Sequence, residues 1–165
     1  MSEYNIEFSE KLIDCAKALK VHGIDSFEAA RTVVYLSKLS CEITLKALLE
    51  KAGKPIKEIR VHSHNLIKLL NEFSWCEVEK DIGGGHLMWI RAVDVRSKVV
   101  DERYSDATIG KLLSGEEFGA SKYPNEIRYG DKFTDFPPEL ILQAAILLLN
   151  WAKIYWDRIR ILKIP

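Results

Sequence analysis

Apolar residues recur at three- and four-residue steps through most of the chain, which is the spacing of amphipathic helices. The pattern predicts a first helix from Ser9, taken as its N-cap, to a stop near Gly23. A second, longer helix is predicted to open with a capping box of Asp25 and Glu28 and to continue to Gly53. At 1.5 Å per residue this second helix would be about 40 Å long.

The middle of the chain shows weaker periodicity. A short third helix is predicted from about Ser63 to Phe73. Residues 76–81 and 87–95 flank Gly83-Gly84-Gly85, and their mixture of Val, Ile and Trp with charged residues favours a small β-hairpin over a loop that leads into a helix.

The final predicted helix is apolar over most of its circumference. After a brief helix over 107–113 and a long loop broken by glycines, this helix begins at Pro137-Pro138 and runs to about Leu162. A helix with little polar face must be covered on more than one side. Other helices of the chain or a second copy would cover it, and with so few long helices we predict a homodimer formed through residues 140–156.

Composition limits the function classes. The 165 residues carry 24 Lys+Arg and 24 Asp+Glu, and 47% are hydrophobic. A disordered chain is excluded, and a protein without net positive charge does not attract nucleic acid through its overall field. With no internal repeat and no linker, residues 1–165 are predicted to form a single domain with an irregular insertion over 76–135.

The sequence predicts no secretory signal, membrane span, disulfide or metal site. The first residues lack a secretory signal, and the most apolar stretch, 140–149, is too short to span a membrane. Cys15, Cys41 and Cys76 are widely spaced and form neither a disulfide framework nor a zinc motif. We therefore expect a cytoplasmic protein that makes no membrane contact and needs no metal or cofactor.

Two runs of the sequence form a recognisable pair of motifs. The first run, Glu42-Ile43-Thr44-Leu45-Lys46-Ala47-Leu48, lies in the second predicted helix, and the second, His64-Asn65-Leu66-Ile67-Lys68-Leu69, opens the third. Together they resemble the HEPN superfamily of small helical bundles. An alanine-rich stretch with a tryptophan, 143–153, fits the closing helix of that family. The likeness covers residues 9–73 and 137–160 and implies an all-α, antiparallel helical bundle, with a loop or small hairpin inserted before the C-terminal helix.

The resemblance also implies a set of functions. HEPN proteins commonly dimerise and are associated with toxin–antitoxin pairs, phage defence and RNA cleavage, and a nucleotidyltransferase or antitoxin is a typical partner. Their catalytic members carry an arginine, four to six residues and then a histidine. Here Arg60 has just three residues between it and His64, so no pair has the family spacing. This departure favours a non-catalytic or degenerate module.

Arginine–tyrosine pairs in the predicted loops are the best candidates for RNA or nucleotide binding. A guanidinium can fork onto a phosphate, and a phenol ring offers a stacking face. The same residues could instead anchor long loops onto the bundle, and this structural role is favoured over binding. The candidates are Arg103, Tyr104, Tyr123, Asn125, Arg128 and Tyr129.

Other polar residues have a functional and a structural reading. His62 and His64 lie beside Arg60, although His64-Asn65 more simply begins a helix. Gly83-Gly84-Gly85 followed by a histidine has the composition of an anion cradle, but it lacks the lysine of a P-loop, so a turn is favoured. Glu42 and Lys46 would be a buried functional pair or a surface salt bridge, and their polar stripe favours the surface.

The preferred hypothesis is a HEPN-like module that dimerises and binds RNA, a nucleotide or a protein partner in a defence or toxin–antitoxin setting. The first alternative is a metal-independent ribonuclease toxin with a non-standard active site, either Arg60 with His64 or Arg128 with Tyr129. The second alternative is a structural helical adaptor whose loop residues only brace the fold.

Overall fold

The computed structural model describes residues 1–23, 26–130, 133–134 and 137–162, which form helices and a small sheet. Two 3-10 turns, Ala92–Val95 and Gly115–Phe118, connect some of these elements. The helices are α1 (Ile6–Val21), α2 (Phe27–Lys51), α3 (Ile56–Val61), α4 (Leu66–Ser74), α5 (Ile109–Leu113), α6 (Asn125–Tyr129) and α7 (Pro138–Tyr155). The strands are β1 (Glu77–Asp81), β2 (Leu87–Arg91) and β3 (Ile159–Arg160).

The long helix α2 lies at the centre of the fold. Its 25 residues correspond to about 38 Å of helix, close to the length predicted from the sequence. The helices α1, α4 and α7 all pack against it. Because α2 is covered from several sides, polar as well as apolar side chains of this helix are buried.

The N-terminal ends of the first two helices differ from the prediction. Helix α1 begins at Ile6 and is capped by Asn5, whose side chain accepts a hydrogen bond from the Glu7 amide at 2.7 Å. Ser9, the predicted cap, is fully buried inside α1 against α2. The predicted cap Asp25 lies outside the described residues, and Ser26 caps α2 by accepting from the Ala29 amide.

The third predicted helix corresponds to α4, which begins at Leu66 behind Asn65 rather than at Ser63. The short α3 precedes it, in a stretch for which no helix was predicted. The Asn65 side chain accepts a hydrogen bond from the Lys68 amide at 2.9 Å, so the His-Asn pair does open a helix, as predicted.

The predicted hairpin is confirmed, and it belongs to a three-stranded antiparallel sheet in the order β2-β1-β3. In the register of this sheet, Glu77 lies opposite both Arg91 and Arg160. The fold is therefore mainly helical, as predicted. The prediction of an all-α chain was incomplete, because the structure also contains this sheet. The 76–135 segment also contains α5, with Thr108 as its cap, and α6 within the stretch expected to be a long loop.

The final helix is shorter than predicted. Helix α7 ends at Tyr155 rather than near Leu162, because the chain turns at residues 156–158 and then pairs with β1 as β3. Ile159 is buried, and the Ile161 amide donates to the Ala52 carbonyl oxygen at 2.9 Å. The alternation of charged and apolar residues over 158–161 is the pattern of this strand.

The apolar circumference of α7 is covered by the chain itself. Helices α1, α2 and α5 pack on it, and residues such as Ile141, Ala144 and Leu148 are fully buried. Among its large apolar side chains, Ile154 is 63% exposed. Of the two ways to cover this helix, the other helices of the chain account for most of its apolar surface, and a homodimer through residues 140–156 stays a prediction.

Candidate functional site

A buried carboxylate lies near the middle of α2. The residue Glu42 is 4% exposed, and Lys46, one helical turn later, is 7% exposed. The Lys46 Nζ donates to Glu42 Oε1 at 2.7 Å. The expectation that this pair faces solvent was wrong, because residues from both earlier and later parts of the chain lie over this face of α2.

Two of those later residues donate to the same carboxylate. The hydroxyl of Tyr123, in the segment just before α6, donates to Glu42 Oε2 at 2.7 Å. The Nδ1 atom of His64, just before the cap of α4, lies 3.0 Å from both carboxylate oxygens. Glu42 therefore connects three separate segments of the chain, and we call Glu42, Lys46, His64 and Tyr123 the Glu42 cluster.

The Glu42 cluster holds its carboxylate in the ionised form. Burial by itself would raise the pKa of Glu42, but hydrogen bonds from Lys46, Tyr123 and His64 outweigh it and the pKa lies below its ordinary value. The phenol of Tyr123 responds oppositely, because burial and the neighbouring carboxylate raise its pKa. Tyr123 thus remains a neutral donor.

This ionised carboxylate also determines that Nδ1 of His64 is a hydrogen-bond donor. A carboxylate is an acceptor only, so the Nδ1 atom of His64 must carry the proton that forms their hydrogen bond. In the neutral imidazole Nε2 is then the basic nitrogen. The His64 side chain is 51% exposed although its Nδ1 partner is buried, so the ring lies at the boundary between the cluster and solvent.

An arginine and a second tyrosine lie beside the cluster. The ring of Tyr35 on α2 is 6.0 Å from the Tyr123 ring between centroids, and the Tyr123 ring is 6.3 Å from the imidazole of His64. Arg128 of α6 donates from Nε to the Tyr35 hydroxyl at 2.8 Å, and its guanidinium lies 5.2 Å from the Tyr35 ring centroid. These contacts link an exposed guanidinium to the cluster.

Arg60, which was also a candidate for catalysis, forms an ion pair with Glu3. Its Nε and Nη2 atoms donate to the two carboxylate oxygens of Glu3 at 3.1 and 2.6 Å. Tyr4 follows Glu3, and the Lys46 Nζ lies 5.5 Å from the Tyr4 ring centroid. Over the described part of the chain, no direct contact joins Arg60 to His64.

The remaining loop candidates separate into different parts of the surface. Arg103 and Tyr104 belong to a turn in which Arg103 pairs with Asp101 at 2.7 Å and lowers the pKa of that carboxyl to about 2. Asn125 and Tyr129 are exposed on α6, and the Tyr129 side chain is 77% exposed. Of the loop candidates, Tyr123 and Arg128 lie at the Glu42 cluster, and Tyr123 serves there as a buried anchor.

The glycine run forms the turn of the hairpin. Gly83, Gly84 and Gly85 all have positive φ, and the Ile82 amide donates to the His86 carbonyl oxygen at 3.0 Å. These backbone angles are ones that glycine adopts without strain. The prediction of a turn is confirmed.

The prediction missed Tyr35 and the orientation of Glu42. Tyr35 lies two helical turns before Glu42, a spacing that places both residues on one face of α2, but the residues that cover Glu42 come from distant parts of the chain. Within the described ranges, no group of three or more His, Cys, Asp or Glu residues is arranged to hold a metal ion. No described helix combines the length and apolar character needed to cross a membrane.

No protein-family model matches this chain, and neither a curated protein nor a solved structure shows significant similarity to it.

Proposed function

We propose that the chain is a HEPN-like helical module that binds single-stranded RNA at the surface formed by Tyr35, His64, Arg128 and Tyr129, which we call the His64 surface. The observation that carries this proposal is the convergence of His64 and Tyr123 on the buried Glu42. That convergence fixes an exposed imidazole, and the rings of Tyr123 and Tyr35 connect it to the guanidinium of Arg128.

The chemistry of the His64 surface suits a phosphodiester with an unstacked base. The Arg128 guanidinium has donors beyond those that contact Tyr35, and these can fork onto a phosphate. The exposed phenol of Tyr129 offers a stacking face for a base. Since the net charge of the chain is zero, such binding would be local and short rather than spread over a long RNA.

Binding of fluorescently labelled, mixed-sequence single-stranded RNA tests this proposal. We expect Arg128→Gln and His64→Gln to weaken binding, and Arg128→Gln to reduce the slope of log affinity against log salt by about 1. Arg158→Gln is the matched control, because Arg158 is another exposed arginine and makes no side-chain contact with the His64 surface. Equal affinities of all these variants and the unmodified chain would contradict the proposal.

A metal-independent ribonuclease is the second candidate, and one specific observation favours it. The hydrogen bond between Glu42 and Nδ1 of His64 orients the imidazole and makes Nε2 the basic nitrogen, as general acid–base catalysis requires. Incubation of the protein with the same RNA in the presence of a chelator tests for cleavage. Cleavage that is abolished in His64→Ala would support the ribonuclease. RNA that is bound but not cleaved would support the non-catalytic binding module.

Dimerisation and a nucleotidyltransferase or antitoxin partner are further parts of the proposal, and they are supported by the resemblance to HEPN proteins. Sedimentation equilibrium over a wide concentration range tests the dimer. A monomer throughout the high micromolar range would contradict it. Failure to bind RNA at low salt would favour the structural adaptor over both nucleic-acid functions.

A further inference from the structure

A second concave site lies at the opposite end of α4 from His64. Its volume is about 350 Å³, which is within the range of small-molecule pockets. The site is bordered by the C-terminal end of α4, the end of β2 and the 3-10 turn that follows. Its lining residues are Asn71, Ser74, Trp75, Arg91, Val93 and Arg96.

The position of Arg96 in this site is fixed by its backbone and its side chain. The Arg96 carbonyl oxygen accepts a hydrogen bond from the Gly110 amide at 2.9 Å, and its Nη1 donates to the side-chain oxygen of Asn71. A Cβ atom at position 110 would lie 3.1 Å from the Arg96 carbonyl oxygen, so the close approach favours glycine there. The guanidinium is thereby held at the pocket wall.

The second arginine of the site lies against a tryptophan. The Arg91 guanidinium is 4.3 Å from the ring centroid of Trp75, and the Trp75 side chain is 57% exposed. The cross-strand neighbour of Arg91 is Glu77, but the Glu77 carboxylate accepts from Arg160 Nε at 2.7 Å. Arg91 therefore turns toward the indole rather than toward an acid.

In the described part of the chain, the positive charge of the two arginines that line this site is not offset by a direct acidic partner. Across the residues that the structure describes, neither Arg91 nor Arg96 forms an ion pair, whereas Arg60, Arg103 and Arg160 each pair with a carboxylate. No acidic side chain lines the pocket. The site consequently combines uncompensated positive charge with an aromatic surface.

We propose that this pocket, which we call the Trp75 pocket, is a second anion site that binds the phosphate and base of a nucleotide. Two guanidiniums supply planar, forked donors for phosphate oxygens, and the exposed indole supplies a stacking surface for a base. The same chemistry occurs in a free nucleoside monophosphate and in one nucleotide of a single-stranded RNA. The proposal does not depend on the His64 surface, because the two share no residue.

The two sites lie at opposite ends of one helix. The nine residues of α4 span about 13 Å, with His64 before the first turn and Trp75 after the last. A single strand that follows α4 would contact both sites. A mononucleotide would occupy the Trp75 pocket alone.

Isothermal titration calorimetry of the full chain with adenosine monophosphate, inorganic phosphate, adenosine and a short single-stranded RNA tests this inference. We expect Arg91→Gln or Arg96→Gln to weaken binding of the phosphate-bearing probe by about tenfold or more, as for the loss of one charge-assisted hydrogen bond. Trp75→Leu should weaken adenosine monophosphate binding more than phosphate binding. Arg158→Gln, which removes an exposed arginine that does not line the pocket, should leave binding unchanged.

The outcomes separate the two ligand sources and the two sites. Binding of adenosine monophosphate that depends on Arg91 supports a mononucleotide pocket, and Arg91-dependent binding of RNA alone supports a strand contact. Binding at the Trp75 pocket should survive His64→Gln, so failure of the proposed function would not affect this result. No binding of any phosphate-bearing probe, or equal binding by Arg91→Gln with an unchanged melting temperature, would overturn the inference.

Discussion

The hydroxyl of Tyr123 donates a hydrogen bond of 2.7 Å to the carboxylate of Glu42, a residue that precedes it by 81 positions in the chain. Both side chains are buried, at 5% and 4% exposure. This contact attaches the segment before α6 to the middle of α2. It also supports Arg128 and His64 indirectly, because the Tyr123 ring packs against both the ring of Tyr35 and the imidazole.

Replacing Tyr123 by phenylalanine removes this hydrogen bond and leaves the ring packing in place. We expect Tyr123→Phe to lower the free energy of unfolding by about 2 kcal/mol, the typical value for a hydrogen bond to a charged group. Urea denaturation measures the change. Tyr129→Phe is the matched control, since that hydroxyl belongs to a side chain that is 77% exposed, and its stability should be unchanged. Equal stabilities of the two variants would show that the Tyr123 hydroxyl contributes nothing.

The lowered pKa of Glu42 predicts a specific dependence of stability on pH. A carboxyl whose pKa is lower in the folded state stabilises the fold above its ordinary value of 4.5. That stabilisation is lost as the pH falls from 4.5 through the folded pKa. Breaking a buried ion pair costs about 3 kcal/mol or more, so Glu42→Gln should be clearly destabilised at neutral pH.

The difference between Glu42→Gln and the unmodified chain should therefore shrink as the solution is acidified below pH 4.5. Urea denaturation of both proteins across this pH range measures it. Glu117→Gln is the control for removing an exposed carboxyl, and its free energy of unfolding at neutral pH should match that of the unmodified chain. A difference that stays constant with pH would mean that Glu42 is not ionised through the hydrogen bonds described.

The elements that the sequence predicts well are those whose signal is local. The helix α2 has apolar residues along a long run, and the hairpin has three consecutive glycines at its turn, so each could be identified from neighbouring residues. The strand β3 has only two residues, and the charges at positions 158 and 160 equally fit the C-terminal end of a helix. Its pairing with β1 is a tertiary contact that periodicity does not report.

The candidate site was predicted in part for the same reason. His64 and Arg128 were identified as single residues because their types carry chemistry. The orientation of Glu42 could not be inferred, because a polar stripe on a helix faces solvent unless something covers it. Its covering residues, His64 and Tyr123, lie 22 and 81 positions away, and no local pattern connects them to α2.

The end of the chain gives a test of the β3 strand. Ile159 is 8% exposed and lies opposite Val78 in the register of the sheet. Removing a buried isoleucine side chain costs about 2 to 5 kcal/mol, so Ile159→Ala should lower the free energy of unfolding within this range. Ile161→Ala is the control, because that side chain is 40% exposed and should lose much less. Urea denaturation measures both losses. If Ile161→Ala lost more stability than Ile159→Ala, the strand would be contradicted and a helix that continues to about Leu162 would be supported.

A buried hydroxyl cluster fixes the position of α1 on α2. The hydroxyl of Ser9 lies 2.7 Å from that of Ser40 and 2.6 Å from that of Thr44, and all three residues are fully buried. Ser9→Ala leaves the Thr44 hydroxyl without this partner in a site that excludes water, which costs about 1 to 3 kcal/mol. Ser2→Ala, at an exposed position before α1, should have no effect.

The Ser9 cluster also makes a prediction that distinguishes polar contacts from packing. In Ser9→Ala with Thr44→Val, both partners are apolar and of similar shape, so no buried hydroxyl remains without a partner between these two positions. The double variant should therefore be less destabilised than the sum of the two single variants, by about 0.5 kcal/mol or more. Urea denaturation of the four proteins in this double-mutant cycle measures the coupling. Additive losses would mean that α1 is held on α2 by its apolar contacts alone, and that the burial of Ser9 reflects its small size rather than its hydroxyl.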